Sequence, residues 1–221
     1  MPMRLLIWLA GWWFLGTELP PQTTQCRNPV SQWAYTLLGP SGGGRLDDVA
    51  VAPDGNVCFT GVFGGIFDFD PGEGSDFRDA ANGAFFVTML RADGSYGWTR
   101  TFLFAEFTFA IASIVFDVDG TVLLAGAFVG TGDLDPTDGV DERTTVGHTN
   151  AFLIRLTSKG DYVGTTVFGT GTTGTDEAGS SAAAVDPAGN IIFAGGLRGT
   201  VDFDPTSGVD LPTTGDDALH S

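Results

Sequence analysis

The stretch Asp68-Phe69-Asp70-Pro71 occurs three times in this chain and decides how the rest of the sequence is interpreted. The other copies are Asp133-Leu134-Asp135-Pro136 and Asp202-Phe203-Asp204-Pro205, and a glycine follows each proline at the same distance. The copies begin 65 and 69 residues apart. A motif D-x-D-P-x-x-G at a nearly constant period indicates a tandem repeat, so each copy is expected to mark one structural unit.

Each complete unit is expected to contain two β-hairpins, whose strands we name a to d. Short apolar runs flank turn signals such as Pro53-Asp54-Gly55-Asn56, which is typical of a hairpin. A second pair of runs follows the D-x-D-P element, and no segment shows a helical period. The predicted strands are a at 49–51, 114–116 and 183–185, b at 57–61, 122–126 and 191–195, c at 86–90 and 152–156, and d at 96–102 and 162–168.

Repeated units of four antiparallel strands are typical of β-propeller blades. The sequence therefore predicts an all-β fold of tandem four-stranded antiparallel blades, with about 2.5–3 blades present. Closed propellers have about 4–8 blades, so we expect a fragment of a longer propeller, with completion by other chains as the alternative. The predicted divisions are 1–25 as a signal peptide or N-terminal anchor, 26–46 as a linker with a lone strand d, 47–104 as unit 1, 105–169 as unit 2 and 170–221 as a truncated unit 3.

The unit resembles the bacterial beta-propeller repeat that is often called the SBBP repeat. The residues that carry the resemblance are Asp54 through Gly61 with Phe67 to Pro71, and Asp186 through Gly195 with Val201 to Pro205. The middle copy departs from the pattern at Thr121 and Leu134. The resemblance implies a surface or secreted module and assigns no single activity.

The chain is strongly acidic, with a formal net charge of −17. Phosphate backbones and anionic membrane surfaces repel such a protein, so neither nucleic acid nor an anionic membrane is expected as a partner. The charge favours solubility, and the alternative is a cation-rich partner or a bound metal. An unknown protein or glycan at the cell surface remains the expected partner.

The N-terminus has the layout of a secretory signal peptide, which predicts a secreted or cell-envelope location. A short positive segment, Met1 to Arg4, precedes the apolar run Leu5 to Leu15 and a polar segment. An uncleaved anchor or a misassigned start are the alternatives. An exported location permits a Cys26–Cys58 disulfide, although Cys58 aligns with apolar residues and is more simply a small buried hydrophobe.

Paired aspartates in the repeated motif are candidate ligands for a hard cation. Residues i and i+2 of an extended segment point to one side, so the apolar residue between them is expected to point inward. The candidate metal ligands are Asp68, Asp70, Asp133, Asp135, Asp202 and Asp204. Calcium is the possible cofactor, and no other is expected. If these aspartates bind calcium, millimolar calcium should raise the thermal stability of the protein. The competing interpretation, which we favour, is a structural turn, because aspartate before proline starts turns.

Catalysis has little support in the sequence. The two histidines are His148, in a variable loop, and His220, and Ser180 and Ser181 lack a nucleophile-elbow pattern.

The loops b–c and d–a leave the same face of a propeller and are expected to form the interaction face, including Thr170 to Gly179 with its acidic end. The predicted function is a non-enzymatic secreted or cell-surface module for binding or adhesion. The alternatives are a carbohydrate-binding or carbohydrate-active propeller, and a truncated remnant without independent function.

Overall fold

The computed structural model describes residues 34–70, 72–103, 108–171, 176–204, 208 and 210. Over this part of the chain the fold consists of β-strands and contains no helix. The strands are β1 (Leu38–Val51), β2 (Val57–Asp68), β3 (Phe77–Leu90), β4 (Tyr96–Leu103), β5 (Thr108–Phe116), β6 (Val122–Val129), β7 (Thr131–Asp133), β8 (Glu142–Thr144), β9 (Asn150–Leu156), β10 (Tyr162–Phe168), β11 (Thr170–Gly171), β12 (Glu177–Val185), β13 (Ile191–Arg198) and β14 (Val201–Asp202).

Units 1 and 2 each form a four-stranded antiparallel sheet. Sheet 1 has the order β1-β2-β3-β4, and sheet 2 has the order β5-β6-β9-β10. In unit 3 the antiparallel pair β12–β13 forms sheet 3, and β11 at the start of the unit pairs with β14. Each strand a, b, c and d predicted within units 1 to 3 lies inside a strand of these sheets. The predicted all-β fold with four-stranded antiparallel units is therefore confirmed for units 1 and 2.

A β-bulge interrupts the pairing of strands a and b at the same place in every unit. The register shifts lie between Leu46 and Asp48, between Ile111 and Ser113, and between Ser180 and Ala182. Opposite the bulge stands the glycine that ends the strand b pattern. A Cβ atom there would overlap a carbonyl oxygen of strand a, in the pairs Gly61 with Arg45, Gly126 with Ala110 and Gly195 with Gly179. This close approach explains why the position is glycine in all three units.

The sheets pack face to face in the order of the chain, and we call the two faces of each sheet forward (toward the next unit) and backward. The forward face of sheet 1 shares a buried cluster with the backward face of sheet 2, which includes Cys58 and Met89 on one side and Leu124 and Ile154 on the other. Leu123 on the forward face of sheet 2 belongs to a second cluster, against which residues of sheet 3 pack. One layer of core therefore lies between each successive pair of units.

Hydrogen bonds between units accompany this apolar contact. Asp48 of strand a accepts a bond from the backbone N–H of Ile114 in the next unit, at 2.9 Å. The indole Nε1 of Trp98 donates to the carbonyl oxygen of Ser158 at 3.0 Å. Arg100 Nε donates to the carbonyl oxygen of Gly160 at 2.8 Å. Units 1 and 2 are thus joined at strand a and at strand d.

The connection between strands b and c is a hairpin that folds back over the backward face of its own sheet. Phe69 lies eight residues beyond Gly61, just past the end of β2, a distance of about 26 Å in a straight strand. Its ring nevertheless lies 4.9 Å from that of Phe86, which pairs with Gly61. Positive φ angles at both ends permit the fold-back, at Gly65 and Gly83 in unit 1 and at Gly130 and Gly147 in unit 2.

This fold-back places the D-x-D-P element on its own sheet, whereas the extended-segment argument expects its two carboxylates to point away from the core. Phe69 and Leu134 are fully buried, so the predicted inward-pointing apolar residue is confirmed in these copies. Phe203 in unit 3 is half-buried. The aspartates beside the buried residues are mostly half-buried as well, and they bind the backbone of their own loop. The reason is the long-range aromatic packing on the sheet, which no local pattern encodes.

The N-terminal assignments are only partly covered by the described residues. The predicted signal peptide or anchor at 1–25 lies outside them, as does Cys26. Strand β1 begins at Leu38, and within the segment assigned to a linker and a lone strand d, Leu38 and residues 41–46 pair with β2. Tyr35 is buried on the backward face of sheet 1, and its hydroxyl donates to the carbonyl oxygen of Phe69. Among the described residues there is no helix long and apolar enough to cross a membrane.

Cys58 behaves as the sequence predicts for a small buried hydrophobe. It is a free thiol with no exposed surface and belongs to the cluster between sheets 1 and 2. Burial, with a smaller contribution from Asp54, raises the pKa of the thiol far above its usual value. The side chain therefore packs as a neutral group in the core.

Candidate functional site

The first aspartate of each D-x-D-P element organises the loop that follows it. Asp68 Oδ1 accepts two backbone hydrogen bonds at 2.9 Å, from the N–H groups of Asp70 and Asp76. The same pair of bonds recurs in the other units, at 3.0 and 2.8 Å from Asp135 and Asp141 to Asp133, and at 3.0 and 2.9 Å from Asp204 and Asp210 to Asp202. This carboxylate closes a nine-residue loop in all three units.

The second aspartate explains the glycine of the motif. Asp70 Oδ1 accepts the N–H of Gly72 at 3.0 Å, and Asp135 Oδ1 accepts the N–H of Thr137 at 2.8 Å. The other carboxylate oxygen occupies the space that a Cβ atom would fill at Gly74 in unit 1 and at Gly139 in unit 2. The D-x-D-P-x-x-G spacing thus reflects a carboxylate that packs against a residue without a side chain.

Sequence reasoning missed a third aspartate, which follows the first by eight residues in every copy: Asp76, Asp141 and Asp210. In unit 1 its carboxylate forms an ion pair with Arg78 at 2.8 Å and accepts a hydrogen bond from the Tyr96 hydroxyl. In unit 2 the same positions hold Arg143, also at 2.8 Å, and Tyr162. The tyrosine begins strand d, so this contact fastens the fold-back hairpin to its own sheet. The recurrence of an aspartate at this fixed offset is the feature of the sequence that could have revealed it.

Proton affinities at these contacts follow from burial and hydrogen bonding. Burial raises the pKa values of Tyr96 and Tyr162, and the bonded aspartates raise them further because a phenolate there would face a carboxylate. Burial also raises the pKa of Tyr35. For Asp141, burial opposes ionisation, but the bonds from Tyr162 and Arg143 outweigh it and hold the pKa below its usual value. Asp141 is therefore ionised and Tyr162 neutral around neutral pH.

All three tyrosines of the chain are expected to resist ionisation in the folded protein. Tyrosinate absorbance should not appear as the pH passes about 10, where tyrosine in an unfolded chain ionises. Because the folded pKa values are raised, their stabilising contribution is complete below about pH 10 and is lost as the pH rises further. An ultraviolet titration followed in parallel by circular dichroism checks this. Tyrosinate formed at its ordinary pH in protein that is still folded would contradict the contacts.

The predicted metal ligands are largely used by the protein itself. Each first aspartate accepts two backbone N–H groups through one oxygen, and in units 1 and 2 the second aspartate accepts another. In the described part of the chain, no group of three or more His, Cys, Asp or Glu side chains is arranged to hold a metal ion. Calcium takes about 6–8 oxygen ligands, more than one such loop offers from two carboxylates. The geometry favours the turn interpretation, and calcium binding stays a hypothesis.

Asp68 offers a direct test of the turn interpretation. Asp68→Ala leaves the N–H groups of Asp70 and Asp76 without their acceptor, so the free energy of unfolding should fall by about 2 kcal/mol. Asp68→Asn keeps an acceptor oxygen and should lose less. Thermal or urea denaturation measures both changes. Glu73→Ala, an exposed acidic residue of the same loop, is the control and should change stability by less than about 0.5 kcal/mol. Equal effects of Asp68→Ala and Glu73→Ala would refute the structural role.

A cleft of about 820 Å³ opens between unit 1 and unit 2. One wall is formed by Arg78 and by residues 100–103 at the end of β4, and the other by residues 131–133 and 135–138 of the fold-back hairpin of unit 2. Arg100 also lies over the Trp98 ring, with its guanidinium carbon 5.8 Å from the ring centroid. Side chains of both charge signs therefore line this cleft. It brings the end of strand d of unit 1 together with the b–c connection of unit 2.

Of the other sequence candidates, His148 precedes strand β9, and Asp176 and Ser180 belong to unit 3. His148 has a side chain that is 58% exposed and lies 3.5 Å from Glu177, while its Nδ1 contacts the Thr149 hydroxyl. Ser180 lies on strand β12. Asp176, expected to contribute to an acidic interaction loop, is instead buried, and its carboxylate accepts the N–H of Thr200 at 3.4 Å. His220 lies outside the described residues.

Comparison with known proteins finds no matching protein-family model, no matching curated protein and no matching solved structure. The resemblance to the bacterial beta-propeller repeat therefore stays a prediction that rests on the repeated residues of this chain.

Proposed function

We propose that the stacked sheets are blades of a β-propeller, and that the protein is a non-enzymatic, exported module that binds a ligand at the cell surface. The packing between units supports the blade interpretation. The first strands β1 and β5 of successive sheets contact each other, and β12 contacts both β5 and β6. First strands lie closest to the axis in a propeller, so contacts concentrated there fit sheets that radiate from one axis.

The observation that carries the binding function is the cleft between units 1 and 2. Its volume of about 820 Å³ falls in the range of ligand pockets. Its walls belong to two sheets that are joined by hydrogen bonds, so the cleft is held open by a rigid scaffold. Asp133 and Asp135 are occupied by their own loop, whereas Asp138 is exposed at the rim and faces a wall that carries Arg78 and Arg100. Such a mixed polar surface suits a glycan or a polar protein segment.

An array of immobilised glycans, neutral and charged, tests this proposal with the full chain as the probe. We expect saturable binding that Asp138→Lys abolishes, because the substitution reverses a charge at the rim and fills the cleft. Glu142→Lys is the matched control: it makes the same charge change on an exposed strand of the same hairpin and should leave binding intact. Binding that is insensitive to Asp138→Lys would remove the cleft from the proposal. Turnover of glycosides by the protein would contradict a non-enzymatic role.

A further inference from the structure

The forward face of sheet 3 exposes apolar positions that are covered in the preceding units. Ile192 is 55% exposed, whereas its equivalents Leu123 and Cys58 have no exposed surface. Ala194 is also exposed, and its equivalent Ala125 is fully buried. In units 1 and 2 the backward face of the following sheet covers these positions. Sheet 3 thus presents a face whose sequence is suited to the same packing.

The backward side of strand β1, at the other end of the three sheets, also exposes apolar side chains. Val49 and Val51 lie on the backward side of strand β1 and are 45% and 64% exposed. Their equivalents in unit 2 are Ile114, which is only 2% exposed in the core between sheets 1 and 2, and Phe116, which packs against that core. The first strand of unit 1 therefore presents apolar side chains at positions that the preceding unit covers elsewhere in the stack.

We propose that a second copy of this chain occupies the forward face of sheet 3 through the strand β1 side of its own unit 1. The contact would continue the interface that already joins units 1 to 2 and 2 to 3, with the same kind of residue at the same positions. It is a head-to-tail contact between unlike faces, so repetition either closes a ring or builds a chain of copies. The occupant is identified by this continuity: the backward face of a unit is what covers a forward face throughout the molecule.

Light scattering on the full chain and its variants tests the contact. We expect the wild-type protein to have a mass of at least twice the 23.1 kDa of one chain. Ile192→Glu disables the forward face and Val51→Glu disables the backward face, so each variant alone should fall to the mass of one chain. Val163→Glu is the control, since this valine is 57% exposed on strand d and lies outside the proposed contact. Circular dichroism should show the wild-type β-sheet signal in all of them.

Mixing the two variants distinguishes the proposed contact from other occupants of the face. A mixture of Ile192→Glu and Val51→Glu retains one intact forward face and one intact backward face, so it should form a one-to-one complex. A symmetric contact between two forward faces would instead leave Val51→Glu associated and give no complex on mixing. If another segment of the same chain covers the face, the wild-type protein will be monomeric. Either of the last two results overturns the proposal.

Discussion

Phe69→Ala is expected to lower the free energy of unfolding by about 4 kcal/mol, the range found when a buried aromatic side chain is removed. Phe69 has no exposed surface, and its ring lies 5.1 Å from that of Phe63 and 4.9 Å from that of Phe86. The substitution leaves a cavity where the fold-back hairpin rests on its sheet. Urea denaturation, monitored by fluorescence and circular dichroism, measures the loss.

A matched control separates the effect of the Phe69 side chain from that of the hairpin as a whole. Phe77 lies in the same hairpin with 61% of its surface exposed, so Phe77→Ala should change stability by less than about 0.5 kcal/mol. Phe69→Leu introduces the residue found at the equivalent position, Leu134, and should cost about 1 kcal/mol. Similar losses for Phe69→Ala and Phe77→Ala would show that the hairpin does not fold back onto the sheet.

Gly126→Ala should destabilise the protein by about 3 kcal/mol, at the upper end for overpacking of a buried site. The added methyl group would overlap the carbonyl oxygen of Ala110 at the bulge and lie 2.8 Å from Cε1 of Phe152. Both neighbours are fixed, one as backbone of the adjacent strand and the other as a fully buried ring. Relief therefore requires strand a to move away from strand b.

Gly196→Ala is the control for this substitution. Gly196 also lies on a strand b, one position beyond the glycine that faces the bulge, and a Cβ atom there would meet nothing within 4 Å. The equivalent positions hold Val62 and Ala127, so a side chain is tolerated. We expect a change below about 0.5 kcal/mol, measured by thermal denaturation. A Gly126→Ala protein as stable as the Gly196→Ala protein would refute the bulge explanation.

The strands and their turns could be predicted because their signals are local. Apolar runs around Gly-containing turns place strands a to d within the strands that form, and the predicted turn at Pro53 to Asn56 is closed by a bond from the N–H of Gly55 to the carbonyl oxygen of Ala52. The bulge could not be predicted, because the glycine of strand b gains its meaning only from the strand beside it. The sequence shows the glycine in all three units, but the bulge that requires it is seen only in the pairing of strands a and b.

The candidate site shows the same division between local and long-range information. The pairing of aspartates suggested a metal or a turn, and in the structure the first aspartate closes the loop with two backbone hydrogen bonds. The fold-back depends on contacts such as that between Tyr96 and Asp76, which are 20 residues apart. The third aspartate could have been identified in the sequence from its fixed offset. Its bond to Tyr96 could not, because it forms only when strand d lies beside the hairpin.

The exposed ends of the stack connect the fold to the proposed function. Val51 on one outer sheet and Ile192 on the other carry exposed apolar side chains, which the proposed head-to-tail contact would cover. The head-to-tail proposal and the cleft proposal are independent, because the cleft lies within one chain, between units 1 and 2. A monomeric protein that still binds a glycan would overturn only the first.

The central claim is that the repeated aspartates hold the loop together through backbone hydrogen bonds. Amide hydrogen exchange by NMR, recorded in the presence of a chelator, measures this directly. The N–H groups of Asp70, Asp76, Asp135 and Asp141 donate to Asp68 or Asp133, so they should be protected in the metal-free protein. Rapid exchange of these amides in chelator, with protection only after calcium is added, would contradict the account.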